Sequence, residues 1–357
     1  MNVSEHGFRW ENPGSVFFNQ NALRVPTYQL RRFDFKGKRY YYDPDIDADK
    51  MQAYPSVTSI IKAGFPESRA LADWRLKQAI KYGYTNAGNE AAEKAAQYGT
   101  FFHSKAADFL SGLEVDLTTI KSEYAVFLVT DYNMDYGDAE RRSDREFMRL
   151  SKDLIALADW VERFNVKPLV VEGMLRSAHG LASAVDLVCI ADVMVEGCWG
   201  EVYKGSKKGS YQKGDPQLSK QAVPHLVIGD FKKSPGKYDE RGLQLTAYWG
   251  LVMDNFPELE ELLYPIEDNE GNSISRPLQL WNISPKDWRT TPDVTINSYD
   301  LDPRWEYVRK IGMESLGIEM SEERVPVWKG TLKMGESAYE YSEEPLNIYV
   351  KNLKEEE

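Results

Sequence analysis

Cysteine is nearly absent. Cys189 and Cys198 are the chain's two, too few for a disulfide framework or for a four-thiolate metal site, so an iron–sulfur cluster held within the chain by four cysteines is excluded. Long apolar runs are missing as well: no stretch approaches the roughly 20 apolar residues that a membrane-spanning helix requires. The segment MNVSEHGFRW carries neither the basic nor the apolar region of a secretory signal. The expectation is a cytoplasmic protein with no membrane partner. Excess positive charge is lacking too. A formal net charge of −12 argues against a protein that coats nucleic acid through a generally basic surface. It leaves room for an enzyme that handles nucleic acid in one groove, where clustered acids hold divalent metal and local lysines and aromatics guide a strand.

Aromatics are plentiful: 21 Tyr and 9 Trp offer stacking surfaces, although most must fill core and surface gaps. The 357 residues suffice for one elaborated domain or two modest ones. No internal repeat is visible, and the only low-complexity tract is the charged tail KNLKEEE.

RRFDFKGKRYYYD reads as a hairpin turning at Gly37. In YPSVTSIIKAGF, Pro55 and Ser56 stand as a helix entry before Val57 to Lys62. Helices are expected from about Glu67 to Tyr82 and, after a Gly/Asn break, from near Glu90 through GTFFHSKAADFLSG. Leu113 to Phe164 is helical in composition, with Leu154, Ile155, Ala158 and Val161 at amphipathic spacing. The character then changes. KPLVVEGMLRS, SAVDLVCIADVMV and PHLVIGDFKKS are short β-branched runs bounded by Gly, Pro or Ser, and read as successive strands. Between the second and third, the polar insertion over 197–224 reads as an exposed flap, with Lys204, Lys207, Lys208 and Lys213 able to meet a phosphate backbone. GSKKGSYQKG within it lacks the strand–loop–helix context and terminal Lys-Ser/Thr of a nucleotide-binding P-loop. A helix over GLQLTAYWGLVMDNF, a strand over PLQLWNIS and a helix from about Asp302 to Leu316 complete the body. The sum is one sheet with helices on its faces.

The chemistry concentrates at the ends of these strands. In VIGDFKK, Asp230 and Lys232 are two residues apart and project from one strand face. They follow the apolar Leu226, Val227 and Ile228, where an unpaired charge is costly and a metal or counter-charge is the remedy. Asp186 is embedded in the apolar AVDLVCI, and Glu172 occupies a similar setting in VVEGML. Three acids and a lysine on neighbouring strands suit phosphodiester hydrolysis: carboxylates hold one or two Mg2+ or Mn2+ ions, and the ammonium meets developing charge. A buried charge network with a structural role would use the same residue types. His103, in GTFFH, could complete a metal shell from outside the sheet. Gln244 and Tyr248 share a helix face at i and i+4.

In this order the motifs (PSVTSII, a Trp74-containing helix, GTFFH, VVEG, AVDLV, DFK, QLTAY) resemble the RecB-like branch of the PD-(D/E)XK nucleases, and among them the mitochondrial genome maintenance exonucleases and related phage exonucleases. The resemblance spans about Tyr54 to Leu251. It implies an α/β fold, with a mixed central sheet flanked by helices in a restriction-endonuclease-like core and a helical N-terminal elaboration. The expected segments are a hairpin-like extension over 1–53, the nuclease domain over 54–320 (helical over 54–165, sheet core over 166–320) and a peripheral tail over 321–357. It further implies a Mg2+- or Mn2+-dependent exonuclease acting on single-stranded DNA in phage-type replication, recombination or repair, with a single-strand-binding or recombination protein as partner. His103, Asp186, Asp230 and the Phe231 carbonyl would be metal ligands; Lys232, with Asp230, Asp186, Glu172, Gln244 and Tyr248, would form the catalytic group. Ser56, Thr58, Gln244, Tyr248 and Lys233 would lie along the DNA. The chain departs from the family pattern at Ser183, where a Gly is usual, and at Lys233-Ser234, where Thr-Ser is usual. A structure-specific endonuclease of the same fold and a non-catalytic DNA-binding protein remain alternatives.

Overall fold

The fold comes from a computed structural model, which describes residues 29–44, 53–67, 69–193, 223–267, 273–320, 326–328 and 339–341. The described residues open on the expected hairpin, Arg31–Phe35 (β1) and Lys38–Tyr42 (β2). Its turn residues Lys36 and Gly37 have φ of 46° and 72°, a left-handed region that glycine enters at little cost. β2 also pairs with Tyr54–Pro55 (β3), so the extension before residue 54 and the chain after it share one three-stranded sheet.

Five helices follow: Val57–Gly64 (α1), Arg69–Tyr82 (α2), Ala87–Leu110 (α3), Ile120–Tyr132 (α4) and Tyr136–Arg163 (α5). Ser56 caps α1, its Oγ accepting the Ser59 N–H at 3.0 Å. Asp135 caps α5 by accepting the Gly137 N–H at 2.9 Å. Between α4 and α5, Asn133 takes a φ of 49°, a conformation that asparagine tolerates better than most residues and that ends the helix. Along α5 the buried stripe is Leu150, Leu154, Leu157 and Trp160. Leu154 of the expected face belongs to it, whereas Ile155, Ala158 and Val161 are only half-buried. Leu157 and Trp160 bring more apolar area than Ala158, and they take the centre of the contact.

Lys167–Arg176 (β4), Ala182–Val193 (β5) and Val223–Phe231 (β6) form an antiparallel series. Asp239–Asn255 (α6), a 3-10 helix over Pro257–Leu263 and the short pair Ile266–Glu267 (β7) and Ser273–Ile274 (β8) lead to Gln279–Pro285 (β9), which returns parallel to β6. Val294–Tyr299 (β10) lines the edge antiparallel to β9. Trp305–Met320 (α7) and the paired strands Pro326–Trp328 (β11) and Tyr339–Tyr341 (β12) complete the order. The sheet reads β10-β9-β6-β5-β4. The architecture is therefore α/β, a mixed sheet flanked by helices, as the sequence pattern predicts.

Each sheet face has its own core. Ile60 of α1, Tyr248 and Leu251 of α6 and Val308 and Leu316 of α7 pack on Val188, Leu226 and Ile228. On the other face, Phe102 of α3, Leu128 of α4 and Leu157 and Trp160 of α5 cover Leu187, Cys189, Val227, Phe231 and Ile283. Strands buried on both faces need apolar residues at consecutive positions, the reason LVCI and LVI read as unbroken runs. The period of two also sorts the end of β6: Ile228 lies on the α6 side and Phe231 on the α3–α5 side.

Among the described residues, no helix is long and apolar enough to cross a membrane. The expected flap falls outside the described residues, apart from Val223 and Pro224 at the start of β6, and its four lysines fall outside with it.

Candidate metal centre

The site forms where the sheet opens. Pairing between β5 and β6 ends at Leu187 opposite Gly229. One residue on, the strands diverge past Asp186 and Asp230. The Phe231 N–H, which the lost ladder would leave without an acceptor on that side, donates instead to Asp186 Oδ2 at 2.9 Å. β6 keeps its pairing with β9 for two more residues, so Asp230 stands opposite Asn282. A carboxylate at such a fork sits in the sheet's interior and still faces an open angle between strands.

Three ligand-type side chains meet there from three elements. His103 of α3 presents Nδ1 at 3.3 Å from Asp186 Oδ2 and 3.4 Å from Glu172 Oε1. These three ligand atoms lie within 4.8 Å of one another. The opposite nitrogen, Nε2, is 3.0 Å from the Phe231 carbonyl oxygen, which fixes the ring plane between strand and carboxylates. Glu172 reaches the cluster through an unusual backbone: its φ is 46° in the middle of β4. A non-glycine residue in that region costs about 1 kcal/mol or more and survives where surrounding structure imposes it. The kink turns Glu172, half-buried, toward His103.

Asp230 is almost wholly buried and fully engaged. Its Oδ1 accepts the Lys232 ammonium at 2.8 Å and Gln244 Nε2 at 2.9 Å, and its Oδ2 accepts Asn282 Nδ2 at 2.8 Å. Gln244 also donates to the Tyr248 hydroxyl at 2.6 Å, and Ser183 shares a hydrogen bond with the same hydroxyl. A chain of contacts thus runs from β5 through α6 to β6 and β9.

Charge in this space is strongly coupled. Burial raises the Asp186 carboxyl above its ordinary range, and nearby Glu172 adds to the effect against the pull of His103 and Lys232. Burial likewise pushes Asp230 up to about 6, although Lys232 pulls it down. For His103 desolvation alone would lower the pKa, but Asp186 and Glu172 overcome it and raise it to about 9. Burial, with the charges of Asp186 and Asp230, holds the Tyr248 phenol well above its usual value, so it stays a neutral hydroxyl. The imidazolium stands where two acids call for a cation. Two carboxylates and an imidazole converging in a partly open cleft are hard and borderline donors, fitting for Mg2+ or Mn2+.

The structure brings His103, Glu172 and Asp186 together as one ligand-type group, and Asp230, Lys232, Gln244 and Tyr248 as a hydrogen-bonded group beside it. Two expected ligands are placed otherwise. The Phe231 carbonyl is turned to His103 Nε2, on the far side of the ring from the carboxylates, and the Asp230 oxygens are turned to Lys232, Gln244 and Asn282. Glu172, expected among the acids of the catalytic group, stands with His103 and Asp186. Ser56 is buried and occupied in capping α1, contacting Thr58 Oγ1 at 2.9 Å and bridging to Ala182 of β5. No described hydrogen bond joins Ser56 or Thr58 to the carboxylates. Lys233 packs away from Lys232, its ammonium 4.2 Å from the centre of the Tyr98 ring. Asn282 is the participant that sequence reasoning missed. Its signal was the one used for Asp186, a polar side chain set among apolar strand residues, here Leu280, Trp281 and Ile283.

In comparisons with known proteins, no family model, no curated protein and no solved structure matches this chain.

Proposed function

We propose that the chain is a divalent-metal-dependent deoxyribonuclease of the PD-(D/E)XK type, acting as an exonuclease on single-stranded DNA. The observation that carries the reading is the meeting of His103, Glu172 and Asp186 beside the Lys232–Asp230 pair. The order of the motifs along the chain supports the family assignment.

His103, Glu172 and Asp186 would hold the ion, with Asp230 beside them. A bound Mg2+ or Mn2+ would polarise a phosphate oxygen and lower the pKa of a water. Lys232 supplies a fixed positive charge at the rim of the site, about a quarter exposed and held by Asp230 at 2.8 Å. An ammonium so anchored is pre-oriented toward a pentacovalent phosphate, whose excess negative charge it meets without reorganisation. Gln244 and Asn282 hold the Asp230 carboxylate from two sides, and Tyr248, itself hydrogen-bonded with Ser183, holds Gln244 in place. A neutral Tyr248 adds no negative charge to an already acidic cleft.

Digestion of end-labelled linear strands and closed circles, single- and double-stranded, with Mg2+, with Mn2+ and with EDTA, tests the reading. Metal-dependent loss of linear single strands, with circles spared, is the expected result. Cutting of circles would move the activity to an endonuclease of the same fold. DNA binding with no cleavage under either metal would leave a non-catalytic binding protein.

A further inference from the structure

Lys233, which the family resemblance sets along the DNA, has no part in the proposed hydrolysis itself. It lies one residue beyond Lys232 and emerges on the opposite side of the strand end, half-buried against α3 and α5. Its ammonium is 4.2 Å from the Tyr98 ring centre, and among the described residues it makes no hydrogen bond or ion pair. A cation–π contact orients an ammonium but leaves its charge uncompensated.

The two carboxylates of α5 that face this space are already taken. Glu146 Oε2 accepts the Tyr124 hydroxyl at 2.6 Å and Arg142 Nε at 3.3 Å. Asp153 Oδ2 accepts the Tyr98 hydroxyl at 2.7 Å and is the loose partner of Arg149, at 3.8 Å. Arg149 is itself half exposed, with its guanidinium carbon 5.5 Å from the centre of the same Tyr98 ring. Two cations from different elements therefore share one aromatic ring, with one fully engaged acid between them. Burial lowers the Lys233 pKa, and nearby Arg149 and Arg142 add to the effect against the opposing pull of Glu146 and Asp153. Tyr98 precedes His103 on α3 by five residues, roughly 7.5 Å along the helix axis.

We infer that Lys233 and Arg149, gathered on the Tyr98 ring, form a second anion subsite that grips a phosphate of the nucleic-acid strand next to the one at the metal centre. The inference rests on the nuclease reading for its ligand. A phosphate there would accept hydrogen bonds from the ammonium and the guanidinium, direct contacts that Glu146 and Asp153, bonded to other groups, do not make with Lys233. It would also fix the strand's register, placing the following phosphodiester beside Lys232.

The test is anisotropy of a fluorescein-labelled oligothymidylate, with and without a 5′-terminal phosphate, binding the full chain in EDTA over a range of KCl concentrations. Wild type is compared with Lys233→Gln, Arg149→Gln and Lys233→Arg, and Mn2+ affinity is measured by calorimetry on each. Lys233→Gln and Arg149→Gln should each weaken the strand about tenfold and flatten the salt dependence by about 0.7 of a log unit per log unit of salt. Lys233→Arg should restore both, with Mn2+ affinity unmoved. A deficit confined to the 5′-phosphorylated strand assigns the subsite to a terminal phosphate; one common to both strands assigns it to the backbone. Wild-type affinity and salt slope in Arg149→Gln, whose exposed position spares the fold, and in Lys233→Gln would overturn the subsite while metal-dependent cleavage left the nuclease reading standing. Loss of binding in these variants from a chain that cuts no DNA would keep the subsite and overturn the nuclease.

Discussion

Asn282 Nδ2 donates to Asp230 Oδ2 at 2.8 Å from the facing position on the parallel neighbour strand, and neither side chain reaches solvent. The other end of that amide, Oδ1, is buried with no hydrogen-bond partner. An asparagine that leaves one acceptor orphaned at a fully buried position costs stability, and what it provides in return is a donor aimed at Asp230. Asn282→Ala should therefore destabilise the chain by about 1–3 kcal/mol at neutral pH, since it leaves a buried carboxylate oxygen bare. Asn282→Asp should be worse, because two carboxylates then face each other out of water. Urea denaturation of the three proteins measures this, and an Asn282→Asp variant as stable as wild type would show that the contact does not govern Asp230.

Lys232→Ala isolates the charge at the rim. The lysine is about a quarter exposed, but its loss strips the buried Asp230 of its counter-charge, so the chain should lose stability while still folding and binding Mn2+ through His103, Glu172 and Asp186. Cleavage should fall by at least about a hundredfold, the scale seen when one preorganised donor to a transition state is removed. Cleavage at the wild-type rate in a correctly folded Lys232→Ala protein would show that the assigned site is wrong.

Much of this arrangement is legible in the sequence, and the reasons are local. The helices, the three strand runs and the positions of Asp186, Asp230 and Lys232 follow from two-residue and three-to-four-residue periodicities and from acids set among β-branched residues. β10 is not legible. The sequence reading passes from PLQLWNIS to the helix at Asp302 because VTINSY carries a mixed polar pattern, and an edge strand needs only one apolar side. Nor does the pattern reveal that Glu172 adopts a φ of 46° within a strand paired with β5 on either side of it, at Val171 and Gly173. The partners of the acids are hidden for a similar reason. Spacing places Asp230 and Lys232 on one face, but only the fold shows that Asn282 and Gln244 take up the Asp230 oxygens while Glu172 turns to His103. The orientation of Lys233 toward Tyr98 depends on α3 lying over the end of β6, a contact 135 residues apart in sequence that no window contains.

The site's titration gives the metal-free chain a pH dependence of definite sign. Asp230 titrates near 6 when folded against an ordinary 3.8, and His103 near 9 against an ordinary 6.5. Both are raised, so in both windows the folded chain binds more protons than the unfolded one and loses stability as the pH rises. In EDTA, the difference in melting temperature between Asp230→Asn and wild type should shift between pH 3.8 and about 6, and that between His103→Gln and wild type between pH 6.5 and about 9. Mn2+ competes with these protons, so its stabilisation of the wild type should grow with pH. Thermal melts with and without Mn2+ read both effects. A metal-induced gain that shrinks as the pH rises would contradict the ligand-type group.

A close crossing of two helices supports the sheet from behind the site. α1, whose cap Ser56 bridges to Ala182 of β5, crosses α7 with backbones in contact: a Cβ built on Gly312 would lie 2.4 Å from the Ile60 carbonyl oxygen, and one on Gly64 would lie 2.3 Å from the Val308 carbonyl oxygen. Neither obstruction is a flexible side-chain end, so an added methyl must push the helices apart. The neighbouring core side chains Ile60, Val308 and Leu316 are all buried and would lose contact together. Gly312→Ala should thus destabilise the chain by about 1–3 kcal/mol, the usual cost of overpacking, although alanine favours a helix by up to about 1 kcal/mol over glycine. Because α1 touches the sheet at β5 and not at His103, Glu172 or Asp186, Mn2+ affinity below the melting transition should stay within about twofold of wild type, a change of about 0.4 kcal/mol. Denaturation and calorimetry on the same preparation separate the two effects, and a Gly312→Ala protein more stable than wild type would show that the close crossing is not a constraint on the fold.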